Sequence, residues 1–279
     1  MGLSFLLTTA QSQDFSITIL GGLSNYQGDL QQKRFTFQEA HPAGGADLLY
    51  RLNGNFFLRG GAFFGKVSAS DSKSSYIPDR DRNLSFFSPI TEGHIELEYD
   101  ILSLDEYKAT PYLFVGGAVF HFNPYAYDKQ GEKVYLQPLG TEGEGFFDGR
   151  TKYALTQMAI PFGGGVKFAL NDNINLGIEI GLRKLFTDYL DDVSTTYVNE
   201  NLLLSHNGPL AVEMAFRGGE INPSAVYPSQ GTPRGDPKSK DWYYFTGITF
   251  SFNLLPANEK LQSHYSSKTT CPKNVSNPY

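Results

Sequence analysis

The sequence predicts an all-β fold, a transmembrane antiparallel β-barrel of about eight strands with short periplasmic turns and long extracellular loops. Three observations carry this. Apolar and polar residues alternate with a period of two, over stretches about as long as a tilted strand needs to cross a bilayer, roughly 9–11 residues. Tight connections alternate along the chain with long polar ones. The 29 Gly, 22 Phe and 17 Tyr, against 3 Met, suit strands better than helices. Mean hydropathy is −0.31, and no apolar run approaches the ~18–20 residues of a membrane helix. A barrel needs none, because its lipid face takes only every second residue.

The first strand begins near Asp14, with Phe15, Ile17, Ile19 and Leu23 on one face and Ser16, Thr18, Gly22 and Ser24 on the other. The second spans about Ala43 to Leu52, setting Ala46, Leu48, Tyr50 and Leu52 against Asp47 and Arg51. Asn53-Gly54 is a strong hairpin signal. Phe56 to Val67 returns, with Arg59 on the small-residue face beside Gly61 and Gly65, and a polar stretch, Ser68 to Asn83, follows. In the fourth strand, Ile90 to Ile101, the residues Ile95, Leu97, Tyr99 and Ile101 alternate with Glu92, His94, Glu96, Glu98 and Asp100. Pro111 to Phe122 is the fifth.

The hairpin Gln157 to Thr187, turning at Asn171-Asp172-Asn173, supplies the sixth and seventh. Met158, Ile160, Phe162, Val166 and Phe168 face away from Gly163, Gly165 and Lys167 on its first arm. On its second, Ile174, Leu176, Ile178, Ile180 and Leu182 alternate with Asn175, Gly177, Glu179, Gly181 and Arg183. The last strand, Asp241 to Leu254, carries Trp242 and Tyr244 where a membrane-interface girdle is expected. The tight connections are Asn53-Gly54, Leu102 to Ala109 and Asn171 to Asn173; the long ones are Gly28 to Pro42, Ser68 to Pro89, Asn123 to Thr156 and Asp188 to Lys240. A soluble lipocalin-like barrel also has eight strands, but its interior is apolar and it has no reason for this alternation.

The polar faces carry charges of both signs. The carboxylates of Glu92, Glu96, Glu98 and Asp100 on one face of one strand repel each other unless cations oppose them. Arg51, Arg59, Lys167 and Arg183 fall on the polar faces of other strands, as does Glu179. Closing the barrel brings Arg51, Arg59, Glu92, Glu96, Glu98, Lys167, Glu179 and Arg183 into one lumenal ion-pair network.

Met1 to Gln13 reads as the remnant of an export signal, with apolar Leu3-Ser4-Phe5-Leu6-Leu7 before Ala10-Gln11-Ser12. It lacks a basic leading segment, so either the true start lies upstream or the segment is a first strand. The barrel then occupies 14–255 and a polar periplasmic tail 256–279. The single cysteine, Cys271, lies in that tail, where an oxidising compartment makes an intermolecular disulfide the reading to test against an unused thiol.

The net charge of −6 gives no basic field for nucleic acid. The five histidines, His41, His94, His121, His206 and His264, lie on separate segments with no nucleophile setting, so no catalytic residue, cofactor or metal site is assigned and no enzyme is expected. Glu92, His94 and Glu96 could resemble an acid/base or metal site, yet a charge network explains them better. Gly163-Gly164-Gly165 opens no helix and is not a phosphate loop. Arg234-Gly235-Asp236 matches an adhesion tripeptide, a match short enough to arise by chance. Asp188, Asp191, Asp192 and Glu200 lack a calcium-loop spacing and read as a solvated loop. Gly208 to Arg217 suggests a short helix that plugs the barrel mouth or docks a partner.

Three segments carry a family resemblance: Tyr26-Gln27-Gly28-Asp29-Leu30, Tyr189 to Tyr197, and Arg234-Gly235-Asp236-Pro237 through Asp241-Trp242-Tyr243-Tyr244. With these the chain resembles the PorG-like outer-membrane β-barrels of Bacteroidetes, components of the type IX secretion system. The resemblance implies a non-enzymatic barrel in the bacterial outer membrane that contacts a periplasmic ring made of a lipoprotein and its partner protein. A small barrel that binds or passes small ligands is the rival, as is a paralogue with no secretion role; a lipid acyltransferase barrel lacks its catalytic set.

Overall fold

The computed structural model describes residues 15–31, 36–147 and 149–254. The strands are β1 (Phe15–Gln27), β2 (His41–Asn53), β3 (Phe56–Ser70), β4 (Ser85–Asp100), β5 (Ala109–Phe122), the short β6 (Tyr125–Tyr127) and β7 (Lys133–Tyr135), β8 (Thr156–Ala169), β9 (Ile174–Leu185) and β10 (Trp242–Asn253). Eight of them pair antiparallel in the order β3-β2-β1-β10-β9-β8-β5-β4, and β4 pairs back onto β3. The sheet is therefore a closed eight-stranded barrel with no free edge in its wall.

Alternation decides which face is which. Ile95 is 66% exposed, whereas Glu96, the next residue of β4, is 1% exposed. Ile19, Leu113, Met158, Ile178 and Ile248 on five other strands are likewise exposed, while charged and polar side chains between them are buried. A wall that is apolar outside and charged inside is the inverse of a water-soluble barrel. It is stable only with lipid around it, which places the chain in the bacterial outer membrane. The turns at 54–55, 101–108 and 170–173 mark the periplasmic end, and the four long connections the outer end.

Several connections hold more structure than their polarity suggests. β4 begins at Ser85, not Ile90, so the preceding loop is shorter than expected. That loop contains helix α1 (Ile77–Arg82), and the β5–β8 connection contains the β6–β7 ribbon. The β9–β10 connection contains helix α2 (Glu200–Ala215), which starts earlier than Gly208 and breaks at Gly208-Pro209, where Gly208 has φ of 82°. Its N-cap is Asn199, whose side chain accepts from Leu202 N–H. Leu203, Ala211 and Ala215 pack with Val198 against Leu139, Phe146 and Phe147, so α2 lies on the β5–β8 connection. The export-signal reading of 1–13, the tail 256–279 and Cys271 lie outside the described residues.

Candidate functional site

The lumen is filled in layers. At mid-height Arg59 of β3 is 2% exposed and points across the barrel. Its Nε donates to Asp47 Oδ2 at 2.7 Å. Its two terminal nitrogens donate to Glu179 of β9 at 2.7 and 3.1 Å, a bidentate fork that lysine could not supply. Glu96 and Glu98 stand 3.3 and 3.7 Å from the same guanidinium. Tyr112 Oη donates to Glu179 at 2.8 Å. Nearer the outer end, Arg183 donates twice to Glu92 at 3.1 Å, and Tyr243 Oη also donates to that carboxylate. His94 joins the two clusters, with Nε2 3.0 Å from Asp47 and Nδ1 3.1 Å from Glu92. Only an imidazolium donates from both nitrogens, so this geometry suits the charged form. Lower down, Lys167 bonds Glu98, and Asp100 at 3.0 Å.

Glycines make room for this. A Cβ on Gly163 would clash with the Ile180 carbonyl oxygen and lie 2.7 Å from the Phe114 ring. One on Gly165 would clash with the Ile178 carbonyl oxygen and lie 2.8 Å from Tyr112, so both the β9 backbone and these lumenal rings need bare backbone there.

Seven of the eight residues expected in one network therefore meet: Arg59, Glu92, Glu96, Glu98, Lys167, Glu179 and Arg183. Arg51 does not. It lies on the correct face of β2 but at the periplasmic mouth, where it pairs with Asp105 of the turn after β4 at 2.8 Å. Pattern alone gives face and not height. Asp47 and His94, which hold the clusters together, were legible as lumenal residues but not as bridges. Below this layer a cavity of about 670 Å³ opens to the periplasmic end, lined by residues including Arg51, Phe57, Asp100, Lys167 and Asn253. Above it Phe63, Phe120, Tyr243 and Phe245 fill the lumen. Planar-bilayer recordings are expected to find no stable channel. Large steps of constant size would mean that the lumen opens.

The outer end is closed by a cap built from all four long connections. Glu142, from the β5–β8 connection, is fully buried and accepts from Ser194 N–H at 2.9 Å, Thr195 N–H at 2.8 Å and Arg234 at 3.1 Å. Asp192 accepts from Thr141 Oγ1 at 2.7 Å and Tyr153 Oη at 2.6 Å. Arg82 forks onto Asp71 at 2.7 and 2.8 Å and also donates to the Arg234 carbonyl. Asp29 accepts from the Asp236 N–H at 3.0 Å. Thus Arg234-Gly235-Asp236 is no adhesion signal, since its guanidinium is buried inside the cap.

Nor is the acidic stretch solvated: Asp188, Asp191 and Asp192 are buried, and only Glu200 is exposed. Burial pushes the Asp188 carboxyl up to about 7 and the Asp29 carboxyl to about 6. Burial, then the neighbouring Asp192 and Glu142 charges, raises Glu144 to about 8. Asp191 and Asp241 also rise, through burial first, with the charge of Asp29 adding to the one and that of Asp191 to the other. Among the described residues no three acidic, His or Cys side chains stand in metal-holding geometry.

A family model described as "Domain of unknown function (DUF6089)" matches residues 2–210, well over half of the chain. The chain belongs to this family. No curated protein matches the DUF6089 chain in sequence. Among solved structures it is similar to Neisserial surface protein A, with 9% identity over 88% of this chain and 100% of that one and a TM-score of 0.43. A major outer membrane protein from Thermus thermophilus is similar at 11% identity, 88% and 100% coverage and TM-score 0.44. The attachment invasion locus protein Ail of Yersinia pestis is similar at 10% identity, 87% and 100% coverage and TM-score 0.39. The DUF6089 barrel is closed on its own strand register, independently of these likenesses.

Proposed function

We propose that the chain is a non-enzymatic outer-membrane component of a protein secretion apparatus of the PorG-like, type IX kind, and that its periplasmic end contacts a ring of a lipoprotein and its partner. The observation that carries this reading is a barrel filled by ion pairs and capped outside, a rigid body suited to anchoring rather than passage. The segments on which the resemblance rests meet one another in the cap. Tyr26 Oη donates to Asp191 at 2.5 Å, Asp29 holds Asp236, and Arg234 reaches Glu142 beside Ser194. The polar periplasmic cavity offers a partner a concave face, and Cys271 is a candidate covalent link to it.

The test is affinity purification from detergent-solubilised membranes with mass spectrometry, beside a deletion strain scored for exported proteins. Co-purification of periplasmic lipoprotein-ring subunits and loss of secreted proteins are expected. A barrel that purifies alone from a strain with intact secretion would remove the secretion role. For the disulfide, a non-reducing gel of whole cells with wild type and Cys271→Ser should lose a higher-mass adduct in the variant.

A further inference from the structure

One surface above the lipid belt combines aromatic rings with ammonium groups on the outside of the wall. Strand register puts its members on one face. Phe87 of β4 is paired with Tyr125 of β6, Tyr125 with Tyr135 of β7, and Tyr127 with Lys133. Phe86 and Ser88, flanking Phe87, are buried, so Phe87 points to the outside of the wall, where the Tyr125 ring, itself only 9% exposed, is covered by its neighbours Tyr127, Lys133 and Tyr135. The other side of the β6–β7 ribbon, Ala126 and Val134, packs into the core, which fixes that orientation. Lys66 of β3 pairs with Pro89 and joins the same outward row.

The rings form a platform. Phe87 and Tyr125 stack at 5.5 Å between centroids, and Tyr127 and Tyr135 set their edges against Tyr125 at 5.8 and 6.1 Å. Lys133 Nζ stands 3.9 Å above Tyr125 and 4.6 Å above Tyr135, and Lys66 Nζ 5.5 Å from Phe87. Lys133, Tyr127 and Tyr135 are exposed. No acidic side chain forms an ion pair with either lysine among the described residues, and the nearby Asp128 carboxylate accepts from its own turn, at Gln130 and Glu132 N–H. The protein spends no carboxylate on two cations held on rings, although its net charge is −6.

What covers this face follows from its position. It continues the lipid-facing row through Phe64 and Thr91, which pair just below Lys66 and Pro89. The occupant of the belt is lipid, so the occupant of the next layer outward is the lipid headgroup. Tyrosine rings stack on the apolar faces of sugars, and ammonium groups with free N–H donors hold phosphate. We infer that Lys66, Phe87, Tyr127, Lys133 and Tyr135, supported from beneath by the Tyr125 ring, bind the phosphorylated saccharide headgroup of an outer-leaflet glycolipid. This rests on the barrel and its membrane placement and is independent of any role in secretion.

The test is native mass spectrometry of the purified full-length barrel in detergent, titrated with a bis-phosphorylated glucosamine-disaccharide lipid. A dephosphorylated form of the same lipid and inorganic phosphate are the other arms. The phosphorylated lipid is expected to bind, and the double variant Lys66→Ala, Lys133→Ala to weaken it about tenfold or more. A Lys66→Arg, Lys133→Arg variant retains binding, and Tyr127→Ala weakens it with both lysines intact. The heat-dependent gel shift of each variant checks that the barrel has formed, and the arginine pair keeps the test decisive if the alanine pair does not fold. Equal binding of the dephosphorylated lipid, binding of inorganic phosphate alone with the same affinity, or an alanine pair that binds like wild type would each overturn the assignment.

Discussion

Replacing Arg59 with leucine is expected to abolish the compact, fast-migrating form of the barrel on unheated gels. Glu179 loses its bidentate cation and Glu96 the guanidinium beside it, while Asp47 keeps only His94 and Glu98 only Lys167. Breaking one buried pair costs about 3–5 kcal/mol because an uncompensated charge remains. Here one substitution uncovers two carboxylates, Glu179 and Glu96, and weakens the pairing of two more, against a total stability of roughly 5–15 kcal/mol. Arg59→Lys restores the charge without the fork to Glu179 and should fold with a lowered urea midpoint. Arg59→Leu combined with Glu179→Leu removes one orphaned carboxylate and should recover part of the loss. An Arg59→Leu barrel with native mobility and an unchanged midpoint would show that the lumenal pairs do not hold the fold.

The cap is expected to loosen as pH rises, opposite to the behaviour of a domain held by ordinary surface carboxylates. Asp188, Asp29 and Glu144 keep their protons in the folded cap up to about 7, about 6 and about 8, against ordinary values of 3.8, 3.8 and 4.5. Between the ordinary and the raised value the folded cap binds more protons than the opened one. Stability therefore falls as pH rises through that window, and its contribution is lost above the folded value. Hydrogen exchange at the Ser194 and Thr195 amides, which bond Glu142, reads this locally. After correction for intrinsic rates, their protection should drop by roughly tenfold or more between pH 5 and about 8.5, while lumenal strand amides change little. Asp188→Asn, which keeps a side-chain acceptor for Ser194 Oγ and cannot ionise, should flatten the profile. Protection that rises with pH, or an Asp188→Asn profile like the wild type, would refute the proton-held cap.

How much of this was legible follows from what each interaction depends on. The wall depends on local pattern. Strand side chains alternate by geometry, so Ile95 had to face away from Glu96, and Ile178 from Glu179, once each segment was a strand. The turn after Asn53 and the Asn171–Asn173 turn carry their signal in adjacent residues. Lumenal membership of Arg59, Lys167, Arg183 and the β4 carboxylates followed from the same alternation.

Partner choice within the lumen did not. It depends on the height of each residue along the barrel axis, set by the stagger of strands far apart in sequence. That stagger seats Arg59 opposite Glu96 and within reach of Glu179, yet leaves Arg51 at the periplasmic mouth with Asp105. The cap lay further still from sequence reading. Glu142, Arg234 and Ser194 sit on polar segments without periodicity, and nothing local separates an acidic loop in water from one folded into an interior. The sequence by itself determined a membrane barrel and which side chains it encloses, because strand geometry needs only neighbours. The tertiary structure alone decided which charges meet and that the outer loops form a closed, proton-holding cap, because those contacts join residues that only barrel closure brings together.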